Sequence, residues 1–228
     1  MIKNLSYWLL LPCLFAVNQS TAMMQDDPWV AHFAVDELEY RKGGSGELKV
    51  WDMQLSLGQD LQQWTLAWQG EADEDEIEDS ELSLDYSRAI SPYWNASLGF
   101  SHVFQPRPER SWLSLGVEGL AAYFVDVDLQ VLLNEEGDMG FSAEFEKELM
   151  LTQRWHIDTG LAFSAYAQND RRLDIDAGVH GVELAVRLGY AVTRKFSPYV
   201  GVVYEWQNSH FQSSHDETWA VAGLSFWF

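Results

Sequence analysis

Ala220-Val221-Ala222-Gly223-Leu224-Ser225-Phe226-Trp227-Phe228 alternates in residue type and stops on an aromatic residue. Ala220, Ala222, Leu224, Phe226 and Phe228 share one face while Gly223 and Ser225 fall on the other, as the two-residue period of a strand requires. An apolar face backed by a small, polar one predicts lipid on one side and a lumen on the other, the pattern of the closing strand of a bacterial outer-membrane barrel. The competing reading, an edge strand of a soluble sandwich, is opposed by the other end of the chain.

There Lys3 supplies a positive start, Trp8 to Val17 an apolar centre and Ser20-Thr21-Ala22 a small-residue cleavage site, so residues 1–22 read as a secretory signal cut after Ala22. The apolar run is roughly ten residues, short of the roughly 20 that a membrane-crossing helix needs. Pro12 precedes Cys13 and spoils a lipoprotein box, and a mature chain without cysteine has neither disulfides nor thiolate ligands. Residues 23–28 form a short leading segment, and residues 29–228 one barrel domain.

The chain carries 14 Lys and Arg against 35 Asp and Glu, a formal −21, and removing the signal takes only Lys3, leaving 13 against 35, or −22. Such a balance argues against nucleic acid as a partner and favours cations, although solvation of polar loops explains most of the acids. The 47% hydrophobic content is spread in alternation and accompanied by 14% aromatics, which fits a barrel with aromatic girdles. Period-two runs fall at about 29–41, 47–57, 60–70, 79–88, 93–104, 111–121, 123–133, 139–150, 154–166, 179–190, 196–207 and 217–228. These predict an all-β chain, a transmembrane antiparallel up-and-down β-barrel of about twelve strands. Short joins at 58–59, 89–92, 152–153 and 193–195 are expected at the periplasm; longer polar ones at 71–78, 105–110, 167–178 and 208–216 are expected outside.

Parity then sorts the side chains. Val125, Val127, Leu129, Val131 and Leu133 alternate with Asp126 and Asp128, while Phe141, Ala143 and Phe145 alternate with Ser142, Glu144 and Glu146, so one inner wall collects four carboxylates. Asp52, Asp79, Glu81, Asp85, Glu118, Glu183 and Glu205 also come out inward, against Arg187 and Arg41 alone. Crowded carboxylates repel, and bound cations, protonation or water must offset that cost. A metal pathway and a hydrated polar filling both satisfy this pattern.

No histidine pair has the spacing of a ready-made site. His156 alternates with Trp155 and Ile157 and points inward with Asp158. His32 points inward with Asp36, and the parity break at Leu38 and Tyr40 implies a bulge in the first strand. His102 shares the face of Leu98 and Phe100 and reads as a girdle residue; His180, His210 and His215 are expected in outer loops, the last two beside Asp216 and Glu217 as a weak cation trap. Met53 and Met139 face lipid, whereas Met150 faces inward at a strand end.

Several motifs are more specific than alternation: Asp36-Glu37-Leu38-Glu39-Tyr40-Arg41, Tyr86-Ser87-Arg88-Ala89-Ile90-Ser91-Pro92, Leu149-Met150-Leu151-Thr152-Gln153-Arg154 and Pro198-Tyr199-Val200-Gly201-Val202. With Gly99-Phe100-Ser101-His102 running into Pro106, Ser111-Trp112 leading to Gly116-Val117-Glu118-Gly119-Leu120, and the ending Phe226-Trp227-Phe228, the chain from about residue 29 resembles the copper resistance protein B family of outer-membrane proteins. The resemblance implies copper homeostasis or resistance at the outer membrane of a Gram-negative bacterium. It implies copper as the bound metal with no organic cofactor, a monomeric barrel in outer-membrane lipid, and a periplasmic copper-handling protein as partner. Family members often carry a long amino-terminal segment rich in methionine and histidine. Here only Met23, Met24, Gln25, Asp26, Asp27 and Pro28 lie between the cleavage site and Trp29, so copper chemistry falls to the barrel and its loops.

Thioether and imidazole select copper, whereas carboxylates alone suit harder ions. The candidate metal-facing set is His32, Asp36 and Glu39 on the first strand, Asp126 and Asp128 on the seventh, Glu144, Glu146 and Met150 on the eighth, and His156 and Asp158 on the ninth. An outer-membrane lipid hydrolase would need a serine, a histidine and an orienting asparagine together on the lipid face, and no such set is legible, so the chain is not expected to be an enzyme. A narrow nonspecific pore or purely structural barrel predicts the same acidic lumen.

Overall fold

A computed structural model describes residues 27–73, 76–169, 177–208 and 215–228. The expected signal with Cys13, the methionines at 23 and 24, and His210 lie outside the described residues. Twelve strands run in order: β1 (Val30–Lys42), β2 (Glu47–Gln59), β3 (Gln62–Asp73), β4 (Glu76–Ser91), β5 (Trp94–Gln105), β6 (Arg110–Ala121), β7 (Val125–Asn134), β8 (Met139–Met150), β9 (Trp155–Tyr166), β10 (Gly178–Tyr190), β11 (Phe196–Gln207) and β12 (His215–Trp227). Each pairs antiparallel with its chain neighbours, and β1 pairs with β12 to close the barrel. Closure leaves no unpaired edge, which a strand in lipid cannot tolerate because no water is there to satisfy its backbone. Phe33 and Phe228 exchange backbone hydrogen bonds of 3.1 and 2.8 Å at the closing seam.

The outer surface is the alternating apolar set. Leu55, Trp64, Leu66, Leu84, Phe100, Leu115, Val131 and Val202 are all exposed. A soluble protein does not expose a continuous apolar belt of this kind; the transmembrane barrel fold does. Aromatic pairs mark the end bearing the short turns: Trp64 with Tyr86 and Trp155 with Tyr190, both at 4.9 Å between ring centroids, and Lys195 lies 4.7 Å from the Trp227 ring. That end is called the turn end below and the opposite one the loop end.

Three local departures from simple alternation have physical causes. The bulge expected in β1 lies between Val35 and Glu37, where the register with Met53 and Asp52 shifts; Ala34 and Val35 are consecutively buried as a result. β7 begins at Val125, not at 123, because Tyr123 (φ 64°) and Phe124 (φ 58°) both turn left-handed, a conformation that costs about 1–2 kcal/mol per side-chain-bearing residue. The polar stretch 71–78, expected as a loop, is largely ladder: Glu71 pairs with Asp79, Ala72 with Ile77 and Asp73 with Glu76. Solvated charges at a hairpin tip do not hinder backbone pairing.

The lumen is not uniformly polar, contrary to expectation. Leu48, Val50, Ala185, Val203, Trp219 and Val221 form one buried apolar cluster against the inner faces of β2, β10, β11 and β12. A barrel of this size fills its interior with side chains, and burying a Val or Leu contributes roughly 1.5–3 kcal/mol. One sector of the interior is therefore a packed core.

Candidate metal centre

The acidic wall forms as parity requires. Asp126 lies opposite Glu146 and Asp128 opposite Glu144 across the β7–β8 ladder, and Glu118 sits beside Asp128 on β6. Asp128 accepts a 3.2 Å hydrogen bond from Gln130. Across the lumen, Glu144 interacts electrostatically with Asp52 and Glu183, and Glu146 with Asp36, Asp158 and Arg187. Of these groups Asp52, Glu144, Glu146, Glu183 and Arg187 border a central cavity of about 310 Å³, whose lining also includes Glu37 and Glu71.

The two inward arginines do not simply dilute this charge; they form a clasp. Arg41 Nε donates to Glu39 at 2.7 Å and its Nη1 to Glu183 at 3.2 Å, while Arg187 Nε donates to the other Glu39 oxygen at 2.9 Å and its Nη2 lies 2.6 Å from Glu37. The Glu39 side chain has 0% exposure and that of Arg41 3%. β1 thus reaches β10 across β11 and β12, whose Gly201 and Gly223 face the lumen between them. Sequence alone places Glu39 among metal-facing candidates; both of its oxygens accept from guanidinium groups.

Toward the turn end, the register sets Met150 opposite His156 and Glu148 opposite Asp158 on β8 and β9. Glu148, His156 and Asp158 each offer a ligand atom within 4.8 Å of the others, the only such group of three found among the described residues. His156 Nε2 lies 3.3 Å from Asp158 Oδ2 and 3.3 Å from the Ser197 hydroxyl. The ring occupies the space above Gly189 on β10, where a Cβ would stand 2.0 Å from Nε2. Glycine at that position lets the imidazole lie across the neighbouring strand. Imidazole with two carboxylates suits a divalent transition metal, and a thioether on the register partner adds a donor that favours copper.

Of the ten residues singled out from sequence, His156 and Asp158 come together here, with Met150 the register partner of His156 and exposed, and Glu146 interacting electrostatically with Asp158. Asp126, Asp128 and Glu144 stand farther up the same wall. His32 and Asp36 face the lumen on β1, His32 with its ring 5.5 Å from that of Trp227 and Asp36 accepting a 2.5 Å bond from Gln54. Glu148 is the member that sequence reasoning passed over, although it shares the parity of Glu144, Glu146 and Met150. His102 contacts Ser111 at 2.9 Å and the edge of Phe104, as a girdle residue does. His180 lies within β10 and His215 opens β12, not in loops, because both strands run further toward the loop end than their apolar alternation.

The sequence profile described as "Copper resistance protein B precursor (CopB)" matches residues 29–228. The chain belongs to this family. It is 26% identical over 220 residues to the copper resistance protein B homolog of Pseudomonas syringae pv. tomato, covering 92% of this chain and 74% of that one. It is also 26% identical over 203 residues to copper resistance protein B of Escherichia coli, covering 85% of this chain and 68% of the relative. Among solved structures it is similar in fold to the NanC porin, with a TM-score of 0.58 at 14% identity over 86% of this chain and 99% of that chain. The KdgM porin in complex with disordered oligogalacturonate follows at a TM-score of 0.52 and 11% identity, over 85% and 98% of the two chains. Membership in the copper resistance protein B family makes copper the ion against which the donor set has to be judged, and a histidine, two carboxylates and a neighbouring methionine fit it.

Proposed function

We propose that this chain is an outer-membrane protein of copper resistance that binds copper ions in its barrel lumen and passes them along it, with Glu148, His156 and Asp158 as ligands and Met150 as an adjacent soft donor. The observation that carries the reading is the convergence of those three ligand atoms within 4.8 Å at the turn end of an otherwise acidic channel. The turn end faces the periplasm, where a copper-handling protein exchanges ions with the site, and the barrel works as a monomer surrounded by outer-membrane lipid. Carboxylates of the upper wall, among them Asp126, Asp128, Glu144 and Glu146, concentrate cations, and His32 and Asp36 add weaker contacts on β1. The role is that of a conduit and holder, not a catalyst, which the family membership and porin-like fold support.

The test is calorimetric titration of the refolded barrel with copper and with zinc, backed by elemental analysis, for wild type, His156→Ala and a Glu148→Gln, Asp158→Asn double variant. Copper is expected to bind more tightly than zinc and to lose at least tenfold in affinity in both variants. Equal, weak binding of the two ions that no variant alters refutes the site.

A further inference from the structure

A second cavity, of about 400 Å³, opens at the loop end and is lined by Glu47, Glu71, Asp73, Glu78, Glu205 and Glu217 together with Leu48 and Trp219. The central cavity lies deeper, bordered by Arg41, Val50, Glu71 and Glu183. Among the described residues, Glu71 is the one side chain that lines both. It sits on β3 opposite Val50, which in turn pairs with Glu39. On the side of β2, β10, β11 and β12 this level is filled by packed matter: Leu48, Val50, Val203, Trp219 and Val221 form the buried apolar cluster, and Arg41 is pinned by Glu37, Glu39 and Glu183. Arg41 and Glu71 interact electrostatically across what space is left.

We infer that Glu71 and Arg41 form the neck of a continuous, cation-selective water path through the barrel, and that Glu71 is the residue that sets its preference for cations over anions. An ion moving from the mouth to the central cavity passes Glu71, the side chain common to both, within the field of a guanidinium held by three carboxylates. The guanidinium is already surrounded by carboxylates, so the five charges of the clasp, three acidic and two basic, sum to −1. Adding Glu71 makes the passage attractive to small hydrated cations and repulsive to anions. Low-dielectric walls on the apolar side focus that field.

The inference rests on the passage part of the proposed function and is independent of the copper ligands, so it is tested with ions that do not need them. Purified barrels are inserted into planar lipid bilayers under a potassium chloride gradient, and the ratio of potassium to chloride permeability is read from the reversal potential. Wild type is expected to prefer potassium. Glu71→Gln is expected to lower the ratio on the order of a hundredfold, because losing one unit charge at about 10 Å in a medium of effective dielectric constant about 20 changes the partition of each ion roughly tenfold and in opposite directions. Glu47→Gln, which loses the same charge at the open rim of the mouth, is expected to change it less than about twofold, because exposed charges are screened within the ~10 Å Debye length at 0.1 M salt. Glu71→Ser serves if the glutamine variant does not fold. A silent wild type, or a Glu71 variant no different from Glu47→Gln, overturns the inference, whereas the copper titration stands or falls separately.

Discussion

Gly189→Ala is expected to weaken copper binding without touching a single donor atom. A Cβ on Gly189 would lie 2.0 Å from His156 Nε2, 2.5 Å from Cε1 and 2.8 Å from Cδ2, whereas ordinary contact begins at 3.4 Å, so the ring must retreat by 3.4 minus 2.0, or 1.4 Å. Metal–nitrogen bonds near 2.0–2.1 Å tolerate errors of about 0.2 Å, far less than this displacement. The retreat also breaks the 3.3 Å approaches to Asp158 and Ser197 that orient the imidazole. Loss of orienting contacts costs about 10–100-fold in metal affinity, or roughly 1.4–2.7 kcal/mol. Displacing the ring costs about 1–3 kcal/mol of overpacking, partly offset because glycine weakens a strand interior, so a folded barrel is checked separately from the loss of binding. The assay is copper titration calorimetry beside a denaturant melt. Gly160→Ala is the control: its Cβ would meet nothing nearer than the Ala185 Cβ at 3.7 Å. Wild-type copper affinity in Gly189→Ala, or an equal loss in Gly160→Ala, refutes the assignment of His156 as a ligand.

Glu39→Gln removes the charge shared by two guanidinium groups and turns one of its two acceptor oxygens into a donor facing a cation; it is expected to destabilise the barrel by about 3–5 kcal/mol, read as a lowered urea midpoint in detergent micelles. Gly223→Ala sets a Cβ 2.5 Å from Tyr199 Cζ and Oη and so forces the ring off its seat; a loss of about 1–3 kcal/mol in the same unfolding assay checks it. Met150→Leu keeps volume but removes the thioether, and is expected to reduce binding of Cu(I) while leaving zinc binding unchanged, because soft sulfur discriminates between the two ions. Competition titrations with a colorimetric Cu(I) chelator measure that difference.

What a period of two can state, the sequence stated: Asp126 and Asp128 on one side of β7, Glu144 and Glu146 on the same side of β8, and the bulge needed to turn both His32 and Glu39 inward. Alternation assigns a face and leaves open which residues meet across the lumen. Glu39 and Arg187 are 148 residues apart, and nothing in either strand announces that they share a hydrogen bond. The apolar inward residues were hidden for a related reason. Trp219 and Val221 lie on the same face as Gly223 and Ser225, but that face had been read from its small members, and only the packing of β12 against β2, β10 and β11 shows it to be core. Glu148 was legible by parity, since it shares the face of Glu144, Glu146 and Met150, but parity does not show that it meets His156 and Asp158.

The clasp has a mechanical meaning as well as an electrostatic one. β1 and β12 are zipped by their backbones, and Glu39 on β1 also grips Arg187 on β10 from inside, so two strands lie between the points of that grip. Parting the seam toward lipid would tear out ion pairs of the lumen along with the ladder. The wall is bolted at this seam, which parts only if charge pairs break along with backbone bonds.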